Sequence, residues 1–373
     1  MRKGTVLSDP GDNRDSVIRD TAVQDAAARI LADLADPQTI NSATSSSWKA
    51  PLWAALEEAG LTRAWVSEAH GGAGAEILDG FDIIRVSGQY AAPTALAETL
   101  LAGRFLDAAG IDCPAGLLTV APLRLGDHLT CDEDGTITGS ARAVPHICDA
   151  KAVVVIAERT DERHSGQVVA LMATNALTIT ERATDMGGER ADIAFDQVFP
   201  VEMADAPEEW HADTPMLIGA AVRAAQMTGA LETVLDLSTR YATERVAFGR
   251  PIAKFQAVQH NLARLGGEVA AALAASGSAA ETLANAAGFD QSVLLEVAAA
   301  KIRVGEAVTE GGAIAHQVHG AIGWTAEHIL QRFTRRMWGW RDDFGAESHW
   351  AVMLGDMVTE AGADALWPML AER

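Results

Sequence analysis

The chain has 373 residues, 49% of them apolar, and carries a formal net charge of −22. That length provides for two or three structural units, since single cores stop growing at roughly 250 to 300 residues. The acidic balance excludes a general nucleic-acid binder, which needs a basic surface for phosphate contacts, but leaves room for an anionic small ligand held by a local arginine cluster.

The chain opens with Met1-Arg2-Lys3-Gly4 followed by polar residues rather than an apolar secretory core. No apolar run approaches the roughly 20 residues of a membrane span, so the cytoplasm is the expected location, with no membrane partner. From about Asp15 to Ala109 the pattern is helical, with Ile30, Leu31, Leu34 and then Leu52, Leu56 at three- and four-residue intervals. Ser45, Ser46 and Ser47 ahead of Trp48 offer capping hydroxyls for a second helix. Residues 1–113 are assigned to an amino-terminal α-helical domain.

After Cys113-Pro114 the pattern changes to short Val-, Ile- and Thr-rich runs separated by turns such as Glu133-Asp134-Gly135. Ile137–Gly139, Ala152–Ala157, Val168–Met172, Leu177–Thr180 and Ile193–Val198 read as strands of a β-barrel-like domain at 114–207, and Pro200 to Trp210 reads as its exit linker. Cys113, Cys131 and Cys148 lack a metal-ligand spacing, and their odd number gives no disulfide framework. Buried, inert thiols are expected.

From Thr214 the helical period returns, with Leu217, Ala221, Ala224, Leu231 and Leu235 on one face. Alanine-rich runs at Ala270–Ala287 and Val297–Ala300 suit close helix packing, and 208–373 is assigned to a four-helix-bundle domain. The expected fold class is α+β, helical then β then helical.

Three segments carry chemistry. In Arg240-Tyr241-Ala242-Thr243-Glu244-Arg245-Val246-Ala247-Phe248-Gly249-Arg250-Pro251, followed by Phe255-Gln256, a helix end accounts for Gly249 and Pro251 but not for Arg245 or Gln256. Gln317-Val318-His319-Gly320-Ala321-Ile322-Gly323 is by itself no more than a glycine-containing helix cap. It leads through the basic, aromatic stretch from Arg332 to Arg341, which reads as a subunit interface with cation–π packing, into Asp342-Asp343-Phe344-Gly345-Ala346-Glu347.

Taken together and in this order, these segments resemble the carboxy-terminal domain of the acyl-CoA dehydrogenase family. The resemblance extends in domain order over nearly the whole chain, with Gly60-Leu61 and Glu68-Ala69-His70-Gly71-Gly72 similar to the family's amino-terminal turn. It implies the family's three-domain fold and FAD as cofactor. Arg245 and Phe248 would meet the pyrophosphate and adenine side across a subunit interface, with Gln256, Gln317, Gly320 and Ala321 completing the contact. Ala321 stands where the second of two adjacent glycines is usual. In the β-domain, Val144-Pro145-His146 replaces an aromatic-plus-threonine segment, so His146 takes the place of a flavin-contacting threonine, and Leu117 to Pro122 replaces a Thr/Ser-Glu-Pro strand.

The implied reaction is α,β-dehydrogenation of an acyl-CoA thioester, with electrons passing to an electron-transfer flavoprotein. It needs a carboxylate to take the α-proton. Spacing without gaps from Gln317 puts Phe344 at that position, and the family's alternative position falls on Gly219. Three readings stand open. The resemblance implies a homo- or heterotetramer with a second dehydrogenase-like subunit, and in the first reading the chain is the base-less partner of a heteromeric dehydrogenase with the base on its sister subunit, as in systems that degrade steroid or other bulky side chains. It uses a displaced acid, Asp343 or Glu347. Or it is a non-catalytic binding or structural subunit.

Overall fold

The computed structural model describes residues 21–160, 166–181 and 189–371; residues 1–20, where the predicted helical pattern begins, lie outside this range. Five helices come first: α1 (Ala22–Leu34), α2 (Pro37–Ser42), α3 (Lys49–Glu58), α4 (Ile77–Gln89) and α5 (Leu96–Ala108). Helix α2 starts where Asp36 accepts from the Thr39 amide at 2.8 Å with Pro37 in the first turn, a pairing that satisfies an orphan amide. The serine capping expected of the next helix does not form. Trp48 occupies the N-cap of α3 without a side-chain bond, and the Ser45 and Ser47 hydroxyls bond each other at 2.9 Å.

Eight strands follow: β1 (Leu118–Ala121), β2 (Leu129–Cys131), β3 (Ile137–Pro145), β4 (Ala152–Arg159), β5 (Gln167–Ala173), β6 (Thr178–Glu181), β7 (Arg190–Val198) and β8 (Glu202–Asp205). They form one sheet in the order β6-β7-β3-β2-β4-β5-β8, with β1 parallel to β4. The five expected strands are present, but the expectation of three buried thiols is corrected: Cys113 and Cys131 are buried, whereas Cys148, in the turn after β3, is exposed. The expected exit linker is corrected, because Glu202–Asp205 pairs antiparallel with Val168–Leu171 as an edge strand. Its ends are acidic, which is how edge strands avoid pairing with other chains and why the segment reads as a linker.

The last third is helical: α6 (Thr214–Glu244), a hairpin of β9 (Val246–Ala247) and β10 (Arg250–Pro251), then α7 (Gln256–Asn285), α8 (Gln291–His319), α9 (Leu330–Arg341), α10 (Glu347–Ala361) and α11 (Leu366–Ala371). Helix α6 is the axis of the molecule. It packs on α4, α7, α8 and α9, and most of its side chains are buried. Its crossing with α4 is backbone against backbone: a Cβ on Gly88 would stand 2.0 Å from the Gln226 carbonyl oxygen, and one on Gly229 would stand 1.8 Å from that of Arg85. Only glycine permits that approach. Among the described residues no helix is long and apolar enough to cross a membrane.

Candidate functional site

The loop between α9 and α10 is held by four hydrogen bonds from three partners. Lys301, fully buried on α8, donates to the carbonyls of Arg341 at 2.6 Å and Gly345 at 2.9 Å. The Phe344 amide donates to Leu123 O at 2.8 Å, and Trp350 Nε1 donates to Phe344 O at 3.0 Å. Phe344 and Gly345 are both left-handed, at φ +57° and +84°. A Cβ on Gly345 would also press on Trp350 and His349 at 2.8 Å, so the position demands glycine twice over.

This geometry turns the Phe344 ring inward, where the residue is 2% exposed. The ring lies on Gly219 of α6: a Cβ there would stand 2.3 Å from Cδ1 and 2.5 Å from Cε1 of Phe344. The two positions at which the resemblance would put a proton acceptor are therefore one packed spot, filled by an aromatic ring against a bare helix backbone. Phe344 also borders a cavity of about 160 Å³ with Phe105, Pro122, Arg124 and Met216.

The neighbouring Asp343 is fully buried among three guanidinium groups. Arg190 binds it through two bonds of 2.9 Å, Arg223 reaches Oδ2 at 3.0 Å, and Arg124 reaches Oδ1 at 3.2 Å. Burial opposes ionisation, but the charges of Arg190 and Arg223 override it and hold the Asp343 carboxyl at about 2. Arg223 also donates to Glu98 and Gln226, each at 2.6 Å, so a chain of charge runs from α5 through α6 to the loop. In this arrangement the Asp343 carboxylate serves as the shared counter-ion of the three arginines. Glu347 is bonded by Arg341 Nε and packs so closely over Gly305 that a Cβ there would stand 1.8 Å from its Oε1.

Arg124, Arg190, Arg223, Glu98 and Lys301 were not singled out from the sequence. Two of them left a signal: Arg223 and Lys301 are lone cations in apolar helical runs, Ala-Ala-Val-Arg-Ala-Ala and Ala-Ala-Ala-Lys-Ile. Burial pushes Lys301 down to about 8, against the pull of Asp343 and Glu347.

The second group of candidate residues lies elsewhere. Gln317 is twelve residues beyond Gly305 on α8, about 18 Å along the helix axis. The Tyr241 and His319 rings stack at 4.5 Å, bringing the ends of α6 and α8 together. Arg245 caps α6, and the hairpin after it turns through Phe248 and Gly249 at φ +53° and +79°. Arg245, Gln256, Gln317, Gly320 and Ala321 are exposed, and Phe248 is 95% exposed at the hairpin tip. Among the described residues Arg245 has no side-chain partner, and a Cβ on Gly320 would meet nothing within 4 Å. An open guanidinium beside a left-handed glycine turn fits a diphosphate group supplied from outside the chain.

His146 ends β3 at φ +57° and lines two adjoining cavities. Burial pushes it down to about 4, so it is neutral near pH 7.

Comparison with known proteins gives a consistent assignment. Residues 212–341 match the family model described as acyl-CoA dehydrogenase, C-terminal domain. The chain is 30% identical over 323 residues to acyl-CoA dehydrogenase IpdE2 of Mycobacterium tuberculosis, covering 85% of this chain and 90% of that one. Among solved structures, a variant of the Tcur3481-Tcur3483 steroid ACAD is similar at TM-score 0.80 and 25% identity, over 91% of this chain and 98% of the other. The ChsE4-ChsE5 complex of Mycobacterium tuberculosis shares the fold at TM-score 0.78 and 22% identity, over 91% and 97%.

Proposed function

The chain belongs to the acyl-CoA dehydrogenase family, and from that premise we propose that it is the base-less subunit of a heteromeric, FAD-dependent acyl-CoA dehydrogenase. The observation that supports this reading is the Phe344 ring packed on Gly219, so that neither position where the family places its proton acceptor carries a carboxylate. The sister subunit supplies the carboxylate. The relatives named above include a steroid ACAD and a complex of two different chains, which favours a bulky acyl-CoA and a two-chain assembly.

FAD, when bound, accepts the β-hydrogen as hydride and hands its electrons to an electron-transfer flavoprotein. This chain's residues act on the dinucleotide half. Arg245 offers its planar fork to the diphosphate, Phe248 presents an apolar face to the adenine side, and Gln256 and Gln317 donate amide hydrogens. The open turn at Gly320 and Ala321 lets backbone approach the same group. Every one of these residues faces outward, as a contribution to a neighbour's flavin requires. Lys301 and the Asp343 cluster fix the loop that keeps Phe344 in place.

The test is the visible spectrum of the chain purified alone and co-purified with its sister subunit. Flavin absorbance near about 450 nm in the complex only supports the proposal. A chain that purifies yellow alone and bleaches with an acyl-CoA overturns it.

A further inference from the structure

Beneath the end of β3 lie two adjoining cavities of about 340 and 350 Å³, which share Trp48, Lys49, Pro93 and His146. One is closed by Arg332, Arg335 and Arg336, at helical positions i, i+3 and i+4 and therefore on one face of α9. The other is closed by Trp53, Thr94 and Leu117.

The polar groups around this space do not balance. Lys49 is answered by Asp149 at 2.6 Å and Glu189 at 3.2 Å, and Glu57 accepts from the Gly116 amide at 2.8 Å. Arg335 donates to Gln331 at 3.3 Å. Among the described residues the side chains of Arg332 and Arg336 have neither a hydrogen bond nor an ion pair; Nε of Arg332 is fully buried, and Arg336 is only 9% exposed. Burial and the neighbouring charge of Arg332 push Arg336 down to about 9. In the second cavity the buried indole N–H of Trp53 is likewise without a partner among the described residues. Buried N–H donors such as Arg332 Nε and the Trp53 indole are rarely left unpaired, because each forfeits its hydration.

We propose that the joined cavities bind a small organic oxyanion. Its carboxylate or phosphate lies between Arg332 and Arg336, its flat or hydrocarbon body lies against Trp48 and Pro93, and an oxygen on that body accepts from Trp53. A guanidinium pair matches either head group by paired N–H bonds. Neutral His146 forms the wall between head and body without adding charge. The lining residues named here all belong to this chain, and the site does not depend on the proposed activity.

The experiment is calorimetric titration of the full chain with benzoate, with phenyl phosphate and with inorganic phosphate at constant ionic strength. One equivalent of benzoate or phenyl phosphate binds, and binds more tightly than inorganic phosphate; the stronger of the two identifies the head group. Arg332→Met and Arg336→Met each weaken it about tenfold or more, the loss expected for one charged hydrogen bond. Arg264→Met, which removes an exposed arginine of α7, leaves binding unchanged. Arg332 is partly exposed, so its variant keeps the test valid if Arg336→Met fails to fold. Absence of binding, equal binding by inorganic phosphate, or indifference to both arginine changes overturns the proposal. Displacement of the bound acid by FAD also overturns it, by giving the cavity to the flavin.

Discussion

Replacing Gly219 by alanine probes the spot that decides whether this chain can hold a base. The new Cβ would stand 2.3 Å from Cδ1 of Phe344, and a third ring atom, Cγ, is only 2.5 Å away. Carbon atoms rest at about 3.5–4.0 Å, so the overlap exceeds an ångström, and a buried ring cannot yield as a flexible side chain does. Overpacking of this kind costs about 1–3 kcal/mol, whereas glycine to alanine inside a helix contributes about 1 kcal/mol in the opposite direction. In the wild-type background Gly219→Ala is therefore destabilising or close to neutral. In a Phe344→Ala background the clash is gone, only the helical gain remains, and the same change stabilises by about 1 kcal/mol. The inversion of sign is the result to look for. Urea unfolding of the four proteins in the cycle, compared at equal slope, gives the coupling energy, and neighbours in direct contact couple by at least about 0.5 kcal/mol. Additive effects would refute the packing of Phe344 on Gly219 and with it the structural case against a base.

Three further outcomes follow from the same geometry. Asp343→Asn leaves Arg124, Arg190 and Arg223 without their shared counter-charge and destabilises by about 3–5 kcal/mol, measured by denaturant midpoint. Because the folded Asp343 sits at about 2 and its ordinary value is 3.8, its contribution of about 2 kcal/mol is complete above the ordinary value and disappears as pH falls through about 2; acid titration of stability should lose that segment in Asp343→Asn. Lys301→Met removes the two hydrogen bonds that its ammonium gives to the 341–345 loop and lowers stability by about 1–3 kcal/mol, read by thermal unfolding; an unchanged midpoint would mean that the loop is held without it. Arg245→Gln weakens FAD retention by the complex about tenfold or more, measured by dialysis and absorbance, with the unfolding of this chain unaltered because Arg245 is exposed; undiminished retention would remove it from the cofactor site.

The order of domains was legible because hydrophobic period changes twice along the chain, near Pro114 and near Thr214. Strands β1, β2 and β8 were not, for local reasons. β1 is four residues bounded by a proline, β2 is three residues long, and β8 begins and ends on acids at the sheet edge. At the site, Phe344 was reached by carrying the spacing of the resembled family from Gln317 without gaps. Its contact with Gly219 could not, because 125 residues separate the two and only the fold brings α6 beside the loop. Asp343 was named as a possible acid, but its fate depends on Arg190, 153 residues earlier on β7, and no local pattern announces a guanidinium arriving from another domain. The residues offered for the dinucleotide stood out for the opposite reason: their chemistry is local, and ordinary helix capping does not account for Arg245 or Gln256.

The central claim is that this chain contributes to a flavin site without supplying the base. It is tested most directly by anaerobic mixing of an acyl-CoA substrate with the FAD-loaded complex and with FAD plus this chain alone, following the flavin band near about 450 nm. The account predicts bleaching in the complex, abolished when the sister subunit's carboxylate is removed, and no bleaching with this chain alone. Bleaching by this chain alone, lost in Asp343→Asn or Glu347→Gln, would contradict it.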